Sequence, residues 1–284
     1  MKIQIIQVPY DSGHENVRTG KGPVDLFDEG LDDVLNDKGH AVHVSRVRSG
    51  LALPTENGTT FDVMRLLADQ VRSAVGKGRF PVILAGNCNS CVGTLAGMVA
   101  DCPGIVWFDA HGDFNTPDTT ATGFLDGMGL AMASGRCWKS LVNAISGFHP
   151  VADDRIVHVG ARDLDPQEKV MLAEAGIPLV TAGPNDKSTL LADLANALDA
   201  LKTRTDKIYL HIDVDVLDTG EGRPNGLAVP GGLPPRTVEK AIAVIKTRVD
   251  IAACAIASYD PALDEARSYQ RAIVDLITAV LDPA

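Results

Sequence analysis

The sequence predicts an α/β protein built as three αβα layers around a mainly parallel central sheet. Three observations predict it. Short apolar runs alternate with longer amphipathic stretches along the whole chain, which is the pattern of strand, helix, strand. Several of those runs end in Gly, Asn or Asp, as expected where parallel strands deliver loops from their carboxyl ends to a ligand site. The 284 residues, 45% of them hydrophobic, can enclose a full core, and no linker-like shift or internal repeat divides them, so residues 1–284 read as one domain.

The elements follow in order. Ile3 to Val8 is a strand, and Pro23 opens a helix expected to end near Gly39, with proline and glycine at start and stop. Ala41 to Val44 forms a short strand. A helix capped at Thr60 carries Val63, Leu66, Leu67 and Val71 near helical spacing. Val82 to Ala85 is a buried strand, followed by a Gly/Asn loop and a helix from Ser90 to Ala100. Ile105 to Phe108 is the next strand. Ile156 to Gly160 leads to a helix that ends at Gly176, then a short strand from Pro178 to Val180. Ser188 caps a helix whose Leu190, Leu191, Leu194, Leu198 and Leu201 form one stripe. Ile208 to Ile212, a helix from Pro234 to Lys246, Ala253 to Ala257 and a last helix from Ser268 complete the series.

The totals exclude some functions. A net charge of −11 without any Lys/Arg cluster argues against a nucleic-acid partner. Pro81, Asn87 and Asn89 interrupt the longest uncharged stretch, so no membrane span is expected. The N-terminus is too polar for a signal peptide, and five irregularly spaced cysteines suit reduced thiols, so a cytoplasmic location is expected.

The chemistry is concentrated where strands end. Asp109, His111 and Asp113 follow Ile105–Phe108, and alternation along an extended chain puts them on one face. Asp213 and Asp215 follow Ile208–Ile212 in the same way. Two strands that each end in paired acids are costly as core, because buried charge must be paired or bound to metal. Two metal ions would supply the positive charge. Cys88 also opens Cys88-Asn89-Ser90-Cys91, a spacing that a redox pair could use, although that reading leaves the acids unexplained.

At these positions the chain resembles the arginase/agmatinase (ureohydrolase) family. The family signatures GGDHS, DAHxDxNTPxTTxSGNxHG, DVDxLDP and EVNP correspond here to AGNCN, DAHGDFNTPDTTATGFLDG, DVDVLDT and SYDP. The matching segments run from the GKGP loop at Gly20–Pro23 to Pro261. The resemblance implies an arginase-like fold and two Mn²⁺ ions held by Asp109, His111, Asp113, Asp213 and Asp215. Cys88 stands where the family has its sixth ligand, a histidine. It further implies hydrolysis of a small guanidino amino acid, with Asp113 passing a proton to the departing amine.

Three departures bear on substrate. Asp126 replaces the family's proton-shuttling histidine, and is either a helper in proton transfer or a loop-capping acid. Ser258 replaces the glutamate that meets the guanidinium, and Phe124 replaces an asparagine. Asn115 and Thr122 match contacts for the α-carboxylate. Asp165 matches an acid near the α-amino group, and could equally be the cap of the helix that starts at Pro166. A guanidinium stays protonated at ordinary pH and is disfavoured in a dry site without a carboxylate, whereas an N-hydroxyguanidine is less basic and can enter neutral. These substitutions resemble the branch associated with D-cycloserine biosynthesis, which converts Nω-hydroxy-L-arginine to hydroxyurea and L-ornithine. Another ureohydrolase activity, or a degenerate member that binds without turnover, stays open. The chain stops soon after its last helix, so a monomer is expected as readily as an oligomer.

Overall fold

The computed structural model describes residues 1–51, 53, 55–98, 103–181, 189–220 and 222–283. Ten strands are found among them: β1 (Lys2–Val8), β2 (Tyr10–Asp11), β3 (His14–Glu15), β4 (Ala41–Arg46), β5 (Phe80–Ala85), β6 (Gly104–Phe108), β7 (Ile156–Val159), β8 (Leu179–Val180), β9 (Lys207–Asp213) and β10 (Asp250–Ala257). The helices are α1 (Gly22–Asp28), α2 (Leu31–Asp37), α3 (Glu56–Gly76), α4 (Cys91–Met98), α5 (Gly129–Ala133), α6 (Lys139–Val142), α7 (Pro166–Glu174), α8 (Leu190–Lys202), α9 (Pro235–Lys246) and α10 (Ser268–Leu281).

Eight strands form one sheet in the order β4-β1-β5-β10-β9-β6-β7-β8. Every pairing in it is parallel, so it is more uniform than the mainly parallel sheet expected. Alternation along the strands splits the core in two. On one face Ile5, Leu84, Ile256, Leu210 and Val106 meet α1, α2, α8, α9 and α10. On the other, Ile6, Ile83, Ala255, Tyr209 and Trp107 meet α3, α4 and α5. The result is three layers. The four central strands, β5, β10, β9 and β6, are also those whose carboxyl ends lead into Gly86, Ser258, Asp213 and Asp109. No helix among the described residues is long and apolar enough to cross a membrane.

Several boundaries differ from expectation for local reasons. The helix opened by Pro23 is broken at Gly30, whose φ of 90° no helix accommodates, giving α1 and α2 in place of one helix. The third helix starts earlier than Thr60, because Thr55 Oγ1 accepts from Gly58 N at 3.1 Å and is the cap. Thr60 is instead buried inside α3. Gly129–Ala133 and Lys139–Val142 are helical although no periodicity announced them, being too short to show one. Ser188, the end of the predicted Ser90–Ala100 helix, and Cys102 lie outside the described residues, and Thr189 takes the N-cap position of α8.

Candidate metal centre

The loop after β6 brings its acids together by folding back rather than by continuing a strand. The β structure ends at Phe108, and Asp113 adopts a left-handed φ of 49°, a conformation that costs energy for a non-glycine residue. One-face alternation therefore fails as the reason, although the three side chains still converge. Asp109 is the hub. Its Oδ2 accepts from Trp107 Nε1 at 3.0 Å, and its Oδ1 accepts from His111 N at 2.7 Å and lies 3.3 Å from His111 Nδ1. The Trp107 indole in turn stacks on His211, ring centroids 3.6 Å apart, and Tyr209 Oη lies 2.7 Å from His211 Nδ1. Thus His211, which has no motif role in the sequence, is a core residue that fixes the tryptophan behind Asp109.

On β9, Asp213 Oδ1 accepts from Asp215 N at 2.8 Å, while Asp215 Oδ1 accepts from Ala110 N and its Oδ2 accepts from Asn225 Nδ2, both at 3.2 Å. Cys88 Sγ donates to Asp213 Oδ2 at 2.8 Å and lies 3.4 Å from Ser258 Oγ. Cys91 turns away, its thiol 3.3 Å from Gly129 O, and both cysteines are free thiols, so they do not form a disulfide pair. Gly86 makes room for this arrangement, since a Cβ there would run into Tyr10 O and the Gly20 backbone. Ser258 holds a φ of 68° and its N–H reaches Ala85 O at 3.1 Å.

Two donor sets can each surround a cation: Cys88, Asp109 and Asp113, and Asp109, His111 and Asp215, in each of which the candidate donor atoms lie within 4.8 Å of one another. They share Asp109. Asp213 joins the first through Cys88. The electrostatics fit the same purpose. Burial and then the neighbouring Asp215 push Asp109 up to about 6, and burial and then Asp109 push Asp113 well above the carboxylate range. His111 opposes its own burial by bonding Asp109 and Asp215 and rises to about 12, and that partnership overcomes burial at Asp215, which falls to about 2. One imidazolium does not balance four buried carboxylates. Hard oxygen donors with one imidazole and one thiol suit divalent first-row metals.

The remaining expected site residues line the same cavity, of about 1000 Å³. Asp126 is buried, and its oxygens accept from Asn87 Nδ2 and Asn89 N, both at 2.8 Å. Burial raises it to about 7, these donors opposing. It ties down the loop that carries Cys88. Asn115 Nδ2 donates to Asp165 Oδ2 at 3.0 Å and Glu168 Oε1 at 3.4 Å, and its Oδ1 accepts from Thr119 Oγ1 at 3.1 Å. Thr122 Oγ1 accepts from Phe124 N at 3.2 Å. Asp165 is the N-cap residue of α7, where Glu168 Oε2 accepts from its backbone N–H at 3.3 Å.

Sequence reasoning passed over Trp107, Asn225, Asn87 and Glu168, which hold the acids and loops. Only Glu168 carried a readable signal, the Asp165-x-x-Glu168 spacing of a capping box. The chain matches the Arginase family over residues 1–281. It is 31% identical over 283 residues to an arginase of Bacillus caldovelox, covering 93% of this chain and 92% of that one. The solved native structure of a Bacillus caldovelox arginase superposes with a TM-score of 0.90 at 28% identity, covering 100% and 99% of the two chains. An arginase structure from Bacillus subtilis gives 0.88 at 27% identity over the same shares.

Proposed function

The chain belongs to the arginase family, and from that premise we propose that it hydrolyses the N-hydroxyguanidino group of Nω-hydroxy-L-arginine, giving hydroxyurea and L-ornithine. As a hydrolase of this family it acts on guanidino compounds; the hydroxylated substrate, the Mn²⁺ ions, the single catalytic domain, a cytoplasmic setting and a place in D-cycloserine biosynthesis are the reading proposed here. One observation carries it. Ser258, buried and 3.4 Å from Cys88 Sγ, puts a hydroxyl where a cationic guanidinium needs a carboxylate.

Two divalent cations held by Cys88, Asp109, His111, Asp113, Asp213 and Asp215 would polarise both water and substrate. The protein does the rest. Trp107, Asn225 and the Ala110 and Asp215 N–H groups fix the acids, so the donor set is formed before ligand arrives. Ser258 Oγ meets the substrate hydroxyl or imine nitrogen without demanding a charge. Asp113 accepts the proton of the attacking water on its carboxylate and returns it to the departing ornithine nitrogen. Asp126 holds the Cys88 loop in register through Asn87 and Asn89. The balance is one water consumed, one C–N bond broken and one C–O bond formed.

A second reading, hydrolysis of L-arginine, is favoured by the names of the relatives, which are arginases. Side-by-side kinetics of manganese-loaded protein on the two compounds decide between them. The hydroxylated compound is expected to give the higher kcat/KM, and equal or better turnover of arginine would overturn the proposal.

A further inference from the structure

We infer that Arg18 is a specificity residue that receives the carboxylate of an amino-acid substrate at the cavity wall. This rests on the amino-acid substrate proposed above. Arg18 is the only lysine or arginine among the described residues lining the cavity. Besides the acids of the metal centre, seven more line it, Asp126 and Glu168 together with Asp11, Glu56, Asp163, Asp165 and Asp260. A substrate ammonium finds partners almost anywhere there, whereas a carboxylate is repelled almost everywhere.

Of the two anchors expected from sequence, Thr122 Oγ1 only accepts, from Phe124 N, and Asn115 is already spent. Both Asn115 amide hydrogens point at carboxylates, those of Asp165 and Glu168, and its oxygen takes the Thr119 hydroxyl. Arg18 is differently placed. Its Nε and Nη2 donate to the buried Asp11 at 2.6 and 3.0 Å, and Nη2 also reaches Ser12 Oγ at 3.2 Å, which leaves Nη1 for a ligand. The side chain is 62% exposed, so the guanidinium is held but not covered. Ser12 N donates to Asn87 Oδ1 at 2.9 Å, and Asn87 bonds Asp126. Two short links, Arg18 to Ser12 and Ser12 to Asn87, therefore tie the guanidinium to the loop bearing Cys88. A guanidinium held by Asp11 and Ser12 with Nη1 unclaimed can donate from that nitrogen to a carboxylate oxygen in a charge-assisted hydrogen bond.

Calorimetric titration of manganese-loaded protein with L-ornithine and with putrescine, which lacks only the carboxylate, tests this. The wild type should prefer ornithine. Arg18→Ala should weaken ornithine by about tenfold to a hundredfold and move putrescine by no more than about twofold, with Arg18→Lys in between. Equal weakening of both ligands, no weakening of ornithine, or a wild type without preference would each overturn the inference. Turnover of Nω-hydroxy-L-arginine is read separately. Its absence would sink the proposed reaction while leaving the ornithine preference, and its dependence on Arg18, to stand or fall by titration.

Discussion

The two halves of the cavity floor are built differently. On the β6/β9 side, Asp109, Asp213 and Asp215 are acids that each have at least one oxygen aimed by a backbone or indole N–H group. On the β5/β10 side, Cys88 and Ser258 face each other across 3.4 Å with no carboxylate of their own. One half concentrates negative charge at a cost that only cations repay. The other is neutral and shaped by a serine in a left-handed conformation. The difference suggests that reaction and substrate choice reside on separate strand pairs, and each half can be broken independently.

The acid half should fail most completely. Asp213→Ala removes the acceptor of both Asp215 N and Cys88 Sγ, so activity is expected to fall by at least about a thousandfold, a rise of around 4 kcal/mol in the barrier. Metal analysis of the purified variant should find less than the wild-type complement. A variant that keeps full metal and activity would break the assignment of this half.

Cys88 sits on the seam between halves and sharpens the contrast. Cys88→Ala is expected to lose one of two metal ions and at least about a hundredfold in activity. Cys88→His should keep both ions while shifting preference from zinc towards manganese, since imidazole is harder than thiolate. Retention of two tightly held ions in the alanine variant would show that the thiol is no ligand.

On the neutral half the effect should be one of preference. Ser258→Glu places a carboxylate beside the guanidino end, and the ratio of kcat/KM for arginine over Nω-hydroxy-L-arginine is expected to rise by at least about tenfold, or 1.4 kcal/mol. Kinetics on both compounds check it. An unchanged ratio would detach Ser258 from substrate choice.

Why the halves were unequally legible follows from their chemistry. Paired acids at strand ends stand out in a sequence because burying them is unfavourable, so Asp109, Asp213 and Asp215 could be picked from apolar neighbours, and the parallel sheet from the alternation around them. The supports do not stand out. Trp107 reads as core, and its indole N–H finds Asp109 only because the loop folds back after Phe108. Asp126 was open to two roles in sequence, and its two bonds to Asn87 and Asn89 give it a holding role visible only in space. Breaks such as Gly30 depend on φ, which glycine permits without announcing. Arg18 and Asp11 are seven residues apart on a loop with no periodicity, and nothing short of the folded hairpin joins them.

That pair gives the smallest effect, and one with a defined sign. Burial acts to raise the Asp11 carboxyl, but Arg18, with Ser12, holds it below its ordinary value of 3.8. A depressed carboxyl contributes stability that is present above its unfolded pKa and is lost as pH falls through the folded one. In Arg18→Ala burial acts with less opposition, so the variant should be less stable near neutrality. Because Arg18 is 62% exposed, solvent screening limits the loss to about 1 kcal/mol. Denaturant unfolding of both proteins in chelator, so that metal loss does not enter the difference, should show the full gap around pH 6 to 7 and its closure below about pH 4. A gap of unchanged size at about pH 3 would mean that Arg18 stabilises the hairpin by packing its stem rather than by pairing with Asp11.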